Sequence, residues 1–170
     1  MIFLLITGYH LNMKLRKYSI EDKLSLQMLL NNFEVSQWTA GIPHPFTLED
    51  SINWINKQNT REHCYVISNN KGLVGDIGLY PVIDNCYELG YWVGQDYWGK
   101  GYATEACKAL LELVKNKIPS EKIFATCQVG NSASEKILNN LGFKEMEQIL
   151  SFSKARKKET ACLKYQLKIK

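Results

Sequence analysis

Gly99 and Gly101 flank Lys100 in the stretch YWGKGYATEA, residues 97–106. The apolar spacing that follows predicts an amphipathic helix over residues 103–116. A helix N-terminus has backbone N–H groups without partners and a partial positive charge, so it favours an anion. Because glycine has no Cβ, a phosphate can come close to the backbone. The stretch predicts a phosphate-binding turn, and the alternative is a tight strand-to-helix turn with no ligand.

Two common phosphate-binding patterns do not fit this stretch. From Gly94 onward the sequence matches the first seven positions of G-x-x-x-x-G-K-[ST], but Gly101 stands where a hydroxyl must bind magnesium. The dinucleotide-binding pattern requires a third glycine or alanine where this chain has Thr104. Neither a nucleoside triphosphatase nor a dinucleotide-binding protein is indicated. A nucleotide binder with a different phosphate turn stays as a rival.

Glu88 is the carboxylate that could act as a base close to this turn. It lies in the run CYELGYWV, between Tyr87 and Leu89, where an apolar residue is more usual. Burial beside aromatic rings would raise the pKa of Glu88 toward the range useful to a general base. The alternative is a solvated or salt-bridged glutamate on a strand.

Three further helices are predicted from their N-terminal signals. They begin at Ser19, Thr47 and Ser132, each with an acidic residue three positions later, and the last is expected to stop at Gly142. Apolar residues continue at helical spacing in the first helix and lie on one face of the second; they are Leu24, Met28 and Leu29, and Leu48, Ile52 and Ile55.

Short alternating or continuous apolar runs predict about seven strands. They cover residues 14–18, 64–68, 73–80, 86–93, 123–128, 144–153 and 160–169. The Asn/Gly content of residues 69–72 suits a hairpin turn. The strand before the glycine turn lies between an antiparallel group and a strand-helix-strand unit. We therefore expect an α/β protein of the α+β type, with a mixed, mostly antiparallel sheet of about seven strands and about four helices.

Composition indicates one domain, residues 13–170, preceded by an extension of unknown role at residues 1–12. The 170 residues are 45% hydrophobic, which is enough to bury a sizeable core. The apolar opening is too short to span a bilayer and lacks a basic region, so neither a membrane anchor nor secretion is expected. The net charge of +4 comes without a dense basic stripe, so no nucleic-acid partner is expected.

Cysteine and histidine usage points to a reducing compartment and no metal. The five cysteines are odd in number, widely spaced and without a C-x-x-C pair, as expected of core thiols in a cytoplasmic protein. His44 lies between two prolines without a partner at ligand spacing, so a surface position is expected. The charged run KARKKE, residues 154–159, is interpreted as a solvated hairpin tip, with contact to an acidic or ribosomal partner as the alternative.

Three separated motifs carry a resemblance to a known family. They are GYWVGQDYWGKGYATEA, NSASEKILNNLGF and IPHPFTLEDSINWI, and the likeness extends over residues 13–170. The chain resembles the GNAT acetyltransferases, and within them the RimJ/RimL-type N-acetyltransferases. The resemblance implies the GNAT fold and acetyl-CoA as co-substrate. One departure is Trp98, which fills the first position of the family's [QR]-x-x-G-x-[GA] pattern and is expected to pack against the turn.

The resemblance also implies which residues hold acetyl-CoA. The main chain of Tyr91, Trp92 and Val93 would pair with pantetheine, with an N–H near Val93 for the thioester oxygen. The pyrophosphate would lie on the turn that Trp98 begins, against the amides of Gly99, Lys100, Gly101, Tyr102, Ala103 and Thr104. Asn131 would contact pantetheine.

Ser134 is implied as the proton donor for the departing thiolate, directly or through water. Many GNAT enzymes use a tyrosine seven residues after the asparagine, but this chain has Leu138 there. Glu88 is the candidate base. The alternative for Asn131 and Ser134 is an ordinary role at a helix N-terminus, although Ser132 is expected to fill the capping position.

The expected activity is transfer of an acetyl group to a primary amine. A peptide or protein N-terminus of the ribosomal-protein type is favoured, and a small amine or antibiotic is the alternative within the same fold. The rival from another class is a catalytically silent acyl-CoA-binding module. The expected state is a monomer or homodimer, and the acceptor site is expected between residues 33–46 and the last hairpin.

Overall fold

The computed structural model describes residues 12–82, 86–118 and 122–169. All but the last residue of the predicted N-terminal extension lies outside the described residues. No helix within the described ranges is long and apolar enough to cross a membrane.

Seven strands form one twisted sheet with the spatial order β1-β2-β3-β4-β5-β7-β6. Their bounds are Lys14–Arg16 (β1), Cys64–Asn69 (β2), Gly72–Pro81 (β3), Tyr87–Val93 (β4), Lys122–Gln128 (β5), Lys144–Ser153 (β6) and Lys158–Lys168 (β7). Among the described strands, β4 and β5 are the parallel pair and the other neighbours are antiparallel. The predicted mixed, mostly antiparallel sheet is confirmed.

Five helices are present in the described chain where the sequence predicted about four. They are Lys23–Leu30 (α1), Phe33–Ser36 (α2), Leu48–Asn59 (α3), Tyr102–Val114 (α4) and Ser132–Asn140 (α5). The additional helix, α2, is a single turn that follows a capping Asn32. A turn this short has too little periodicity to be predicted from its sequence.

The helix caps confirm the signals at Ser19 and Thr47 and correct the one at Ser132. Thr47 forms a capping box with Asp50 at the start of α3, whereas the capping box of Ser19 with Asp22 begins a 3₁₀ turn, Ile20–Asp22, directly before α1. The N-cap of α5 is Asn131, whose side chain accepts a hydrogen bond from the Ser134 N–H at 3.2 Å. Ser132 is therefore the first residue of α5, because Asn and Ser both cap well and only the chain path selects between them.

Of the three residues predicted at helical spacing in α1, Leu29 packs against the core and Leu24 and Met28 do not. Leu24 and Met28 are 62% and 71% exposed, whereas Leu26 and Leu30 are fully buried. The helix is apolar on several sides, so its sequence does not define one buried face. In α3 the prediction holds for Ile55 but not for Leu48, which is exposed.

The sheet separates two hydrophobic cores. One lies against α4 and α5 and includes Leu89, Val93, Ala106, Leu110, Cys127 and Leu138. The other lies against α1, α2 and α3 and includes Tyr18, Leu26, Val35, Phe46, Ile55 and Trp92. We call these sides the α4 side and the α1 side of the sheet.

Candidate active site

A wedge opens between the parallel strands β4 and β5. The two strands pair only over Tyr87–Leu89 and Ile123–Ala125 in the described structure. Both continue past this point, β4 to Val93 and β5 to Gln128. Backbone edges that diverge in this way leave polar groups facing a gap, and such groups require a partner.

The open edge of β4 belongs to Tyr91 and Val93. The Gly94 N–H donates to the Val74 carbonyl on β3 at 2.9 Å. Because strand residues alternate, Trp92 also directs its main chain toward β3, and its carbonyl oxygen closely approaches Gly75. The amides of Tyr91 and Val93 face the wedge instead. The predicted pairing of the Trp92 main chain with pantetheine is therefore corrected.

The chain leaves β4 through the glycine turn and enters α4 without a capping side chain. Gly99 and Gly101 have φ of 71° and 89°, conformations that favour glycine. Gly101 is the N-cap of α4, and no side chain accepts a hydrogen bond at this cap. In contrast, Thr47 and Asn131 cap α3 and α5. The first amides of α4 are thus available to an anion beside the wedge.

The other residues of the turn have structural contacts. Trp98 is 43% exposed, and its indole N–H donates to the Val93 carbonyl at 2.7 Å, so it closes the turn onto β4. The Lys100 ammonium donates to the Asp96 carbonyl at 2.6 Å. The Tyr102 side chain is buried and its hydroxyl accepts from Asn69 at 3.0 Å. The Tyr102 hydroxyl oxygen is thus engaged by Asn69, and the part of Tyr102 that lies in the first turn of α4 is its backbone. Ala103 and Thr104 are half-buried in the first turn of α4.

Ser134 lies next to the side chain of Tyr91. The phenol oxygen and the serine Oγ are 2.8 Å apart, on the α4 side of the sheet. Burial raises the pKa of Tyr91, so this phenol stays neutral. The sequence predicted a role only for the Tyr91 main chain. The period-two alternation of the strand places the Tyr91 side chain on the same face as Leu89. That pattern does not show that α5 would pack against this face.

Asn131 is committed to the N-terminus of α5 by its Oδ1 atom. The alternative role for Asn131, capping a helix N-terminus, is therefore the role of its Oδ1 atom. Its amide nitrogen is a donor that a ligand in the wedge could use.

Glu88 is not brought together with Ser134. It is half-buried on β4, opposite Tyr80 on β3 and Phe124 on β5. Because its side chain alternates with those of Leu89 and Tyr91, it faces the α1 side of the sheet. It has no ion-pair partner within the described residues. A base at Glu88 would thus act from the face opposite to Ser134.

A short segment after α2 crosses the α1 side of the wedge. We call residues 37–40 the strap. The Gln128 amide at the end of β5 donates to the Gln37 carbonyl at 2.7 Å. The Arg156 guanidinium donates to the same carbonyl at 3.2 Å and to the Gln37 side chain at 2.9 Å, and it lies 5.2 Å from the Trp38 ring centroid.

Two more hydrogen bonds join the strap to the β6–β7 turn. Ser153 Oγ donates to the Thr39 carbonyl at 3.4 Å, and the Lys154 N–H donates to the Ala40 carbonyl at 3.1 Å. The sequence predicted that the KARKKE turn is a solvated hairpin tip. The turn instead packs against the strap. Its arginine reaches a partner more than a hundred residues away in the chain, which local charge patterns do not reveal.

Four buried polar atoms on the α1 side have no hydrogen-bond partner among the described atoms. They are the Ser36 Oγ, the His44 Nδ1, the Ser51 Oγ and the Trp92 Nε1 atoms. His44 is half-buried with its ring 5.2 Å from that of Phe33, so the expected surface position is corrected. Unpaired buried polar groups are costly. Within the described residues no cluster of His, Cys, Asp or Glu is arranged to hold a metal ion.

Comparison with known proteins agrees with this geometry. The family model of the acetyltransferase (GNAT) domain matches residues 12–144. The uncharacterized N-acetyltransferase YnaD of Bacillus subtilis is 27% identical over 135 residues, which are 69% of this chain and 79% of that protein.

Solved structures share the complete fold. A GNAT-family acetyltransferase from Bacillus anthracis superposes with a TM-score of 0.83 at 22% identity, covering 99% of both chains. RimL, described as a ribosomal L7/L12 α-N-protein acetyltransferase in complex with coenzyme A, superposes with a TM-score of 0.82 at 15% identity, covering 98% of both chains.

The wedge, the uncapped start of α4 and the family match define the class of protein. The chain belongs to the GNAT acetyltransferase family. It is an N-acetyltransferase, and the resemblance found in the three sequence motifs is confirmed.

Proposed function

We propose that the protein transfers the acetyl group of acetyl-CoA to the α-amino group of a peptide or protein. The observation that carries the proposal is the wedge between β4 and β5, which opens beside the uncapped N-terminus of α4. Pantetheine would pair with the open edge of β4, and the pyrophosphate would lie on the amides of residues 99–104.

Acetyl transfer needs three things from the protein: a polarised thioester carbonyl, a neutral amine and a proton for the departing thiolate. The Val93 N–H would polarise the carbonyl. Ser134 would lie at the thiolate on the α4 side. Before attack, Glu88 would take a proton from the ammonium form of the acceptor on the α1 side, which leaves the amine neutral.

The α1 side favours an N-terminal amine over a lysine or a polyamine. An α-amino group has a pKa of about 7.7–8.0, against about 10.4 for lysine, so it is partly neutral at physiological pH. Residues 33–46 contain one acidic residue, Glu34, and Arg156 adds a positive charge. A polycationic acceptor would favour more carboxylates at this position.

The fold alone does not choose the acceptor. RimL is described as an enzyme for the α-amino group of a ribosomal protein, and a structure from Salmonella typhimurium as one that modifies the N-terminal serine of L7/L12. MccE, which superposes with a TM-score of 0.77 at 19% identity, is described as a microcin C7 self-immunity acetyltransferase. A small-molecule amine is therefore the second candidate.

The test is a competition between acceptors with a thiol-release readout. Short peptides with free Ala or Ser N-termini are compared with spermidine, an aminoglycoside and N-terminally blocked lysine peptides. We expect the highest kcat/KM for the free N-termini. A clear preference for any of the other three would contradict the proposed acceptor, while the acetyltransferase activity itself would remain supported.

The two non-enzymatic rivals are separated in the same assay. A silent acyl-CoA-binding module would bind acetyl-CoA and release no thiol with any amine. A nucleotide binder would bind ATP and not CoA.

A further inference from the structure

Two hydroxyl groups from different elements meet beside the wedge. Tyr91 on β4 and Ser134 in the first turn of α5 bring their oxygens to 2.8 Å, and either hydroxyl can be the donor. Ser134 is held in place by its own N–H, which donates to the capping Asn131 side chain at 3.2 Å. The pair therefore has a defined position relative to the open edge of β4.

Ser134 cannot protonate the departing thiolate without receiving a proton itself. A thiol has a pKa of about 8.5, whereas the pKa of a hydroxyl of the acidity of water lies several units higher. Net donation from Ser134 to a thiolate would leave an alkoxide and would be strongly unfavourable. The serine must gain a proton as it gives one away, and a group that stabilises its developing negative charge lowers the barrier.

We propose that Tyr91 is a positioning residue that donates its phenolic hydrogen bond to Ser134 and so directs the serine proton to the departing thiolate. The proposal rests on the proposed function. A hydroxyl oxygen has one hydrogen and two lone pairs. With one lone pair of Ser134 occupied by Tyr91, the serine hydrogen would be free to point to the sulfur, and the second lone pair would be free to receive a proton.

The balance of the step follows from this arrangement. Attack of the amine forms the C–N bond and a tetrahedral intermediate whose nitrogen carries an extra proton. As the C–S bond breaks, its electron pair goes to sulfur, the sulfur takes the Ser134 proton, and Ser134 takes the proton of the nitrogen. The products are the amide and the CoA thiol, and Ser134 and Tyr91 end unchanged.

The surroundings of Tyr91 keep it a donor. Burial raises the pKa of the Tyr91 phenol, so it retains its hydrogen at neutral pH. The titratable groups that face it are thiols from two packed elements, Cys107 on α4 and Cys127 on β5. Burial raises the pKa of both, that of Cys127 to about 12, so neither thiol takes the phenol proton.

The experiment compares Tyr91→Phe, Ser134→Ala and the double variant. We expect Ser134→Ala to lower kcat about 100-fold and Tyr91→Phe about tenfold, both with an unchanged KM for acetyl-CoA. The double variant should be no slower than Ser134→Ala, since the phenol acts through the serine. The matched control is Tyr65→Phe, because Tyr65 is a half-buried tyrosine on β2 whose ring lies under the Lys17 ammonium.

A second readout does not depend on turnover. The thiol pKa of bound CoA is followed by thiolate absorbance in the wild type and in each variant. Ser134→Ala removes the donor to sulfur and Tyr91→Phe weakens it, so the thiolate is destabilised and this pKa should rise by about half a unit or more in both variants. Tyr65→Phe should leave it unchanged.

Several results would overturn the proposal. Multiplicative losses in the double variant would mean that the two hydroxyls act independently. A larger loss of kcat in Tyr91→Phe than in Ser134→Ala would make the tyrosine the donor to sulfur. A raised KM for acetyl-CoA with normal kcat would assign Tyr91 a structural role. Failure of the proposed function would give a different result, because the wild type would then release no thiol. The thiol pKa of bound CoA would still test whether Tyr91 and Ser134 act together.

Discussion

Gly101 and Gly142 have nearly the same backbone conformation, with φ of 89° and 86°. They lie at opposite ends of their helices. Gly101 begins α4 at the proposed phosphate turn, and Gly142 follows the end of α5, where its N–H donates to the Asn139 carbonyl at 3.0 Å. A side chain at either position meets the same left-handed strain. The pair therefore separates the effect of strain from the effect on a ligand.

We predict that Gly101→Val weakens acetyl-CoA binding by at least about tenfold, because hydrogen bonds from amides to a charged phosphate contribute about 1.5–3 kcal/mol. Gly142→Val should cost similar stability, about 1–2 kcal/mol, without this loss of affinity. Calorimetric titration with acetyl-CoA and thermal melts provide the measurements. Equal affinity in the two variants would mean that the turn is only structural.

Asp76 is a carboxylate in the core on the α1 side, with 1% of its surface exposed. The Tyr18 hydroxyl donates to it, and the Trp54 indole N–H donates to it at 3.4 Å. Burial raises the pKa of Asp76 to about 6 from 3.8, against the opposing effect of these hydrogen bonds. The other titratable groups that act on it are Arg61 and Tyr80.

This pKa predicts how stability changes with pH. The folded state binds the Asp76 proton more tightly than the unfolded chain, so the contribution of Asp76 to stability is fully present below about pH 4 and is lost as the pH rises through about 6. The shift corresponds to about 3 kcal/mol. We expect Asp76→Asn to gain stability relative to the wild type by this amount between pH 4 and pH 7, measured by urea unfolding. Parallel pH curves for the two proteins would contradict the assignment.

At the scale of the elements, the strap joins parts of the chain that the helices and strands leave apart. Residues 37–40 are tied to the end of β5 by Gln128 and to the β6–β7 turn by Arg156. Arg156 contributes two hydrogen bonds and a contact with the Trp38 ring. A planar guanidinium suits this combination, and an ammonium does not. The strap lies where the proposed acceptor would enter.

We predict that Arg156→Ala raises the KM for the acceptor about five- to tenfold and leaves the KM for acetyl-CoA unchanged. Arg156→Lys should show an intermediate value. Lys154→Ala is the control, because Lys154 contacts the strap through its backbone N–H and alanine keeps that group. Steady-state kinetics with both substrates varied test this. A change in acetyl-CoA KM instead would place the strap on the cofactor side.

At the scale of the whole molecule, the candidate site lies where the otherwise antiparallel sheet contains the parallel pair β4 and β5. Antiparallel pairing continues from β1 to β4 and from β5 to β6 through β7, and the parallel contact between β4 and β5 ends after Leu89. The wedge is thus bordered by two well-paired halves of the sheet. A ligand that fills it would join the two halves.

We predict that acetyl-CoA at a hundred times its Kd stabilises the folded protein by about 2.7 kcal/mol, provided that it binds only the folded state. Thermal melts with acetyl-CoA, CoA and ATP measure this. The melting temperature should rise with the first two. A rise with ATP alone would overturn the proposed co-substrate.

Much of the fold follows from local sequence. The Asn/Gly turn between β2 and β3, the capping boxes at Ser19 and Thr47 and the stop at Gly142 depend on residues within a few positions, so they could be predicted. The glycine turn could be found for the same reason, whereas the serine of α5 was implied by the resemblance to the family. The buried face of α1 could not, because an all-round apolar helix takes its orientation from the sheet.

The sequence by itself determined the order of the elements, the glycine turn and the membership of the family through three motifs. Tertiary structure decided which side chains meet across them. Tyr91 faces Ser134, Arg156 holds Gln37, and Glu88 lies on the opposite face of the sheet from the serine. The physical reason is that caps and turns are made by neighbours in the chain, whereas these contacts depend on strand order and on the side of the sheet where each helix packs.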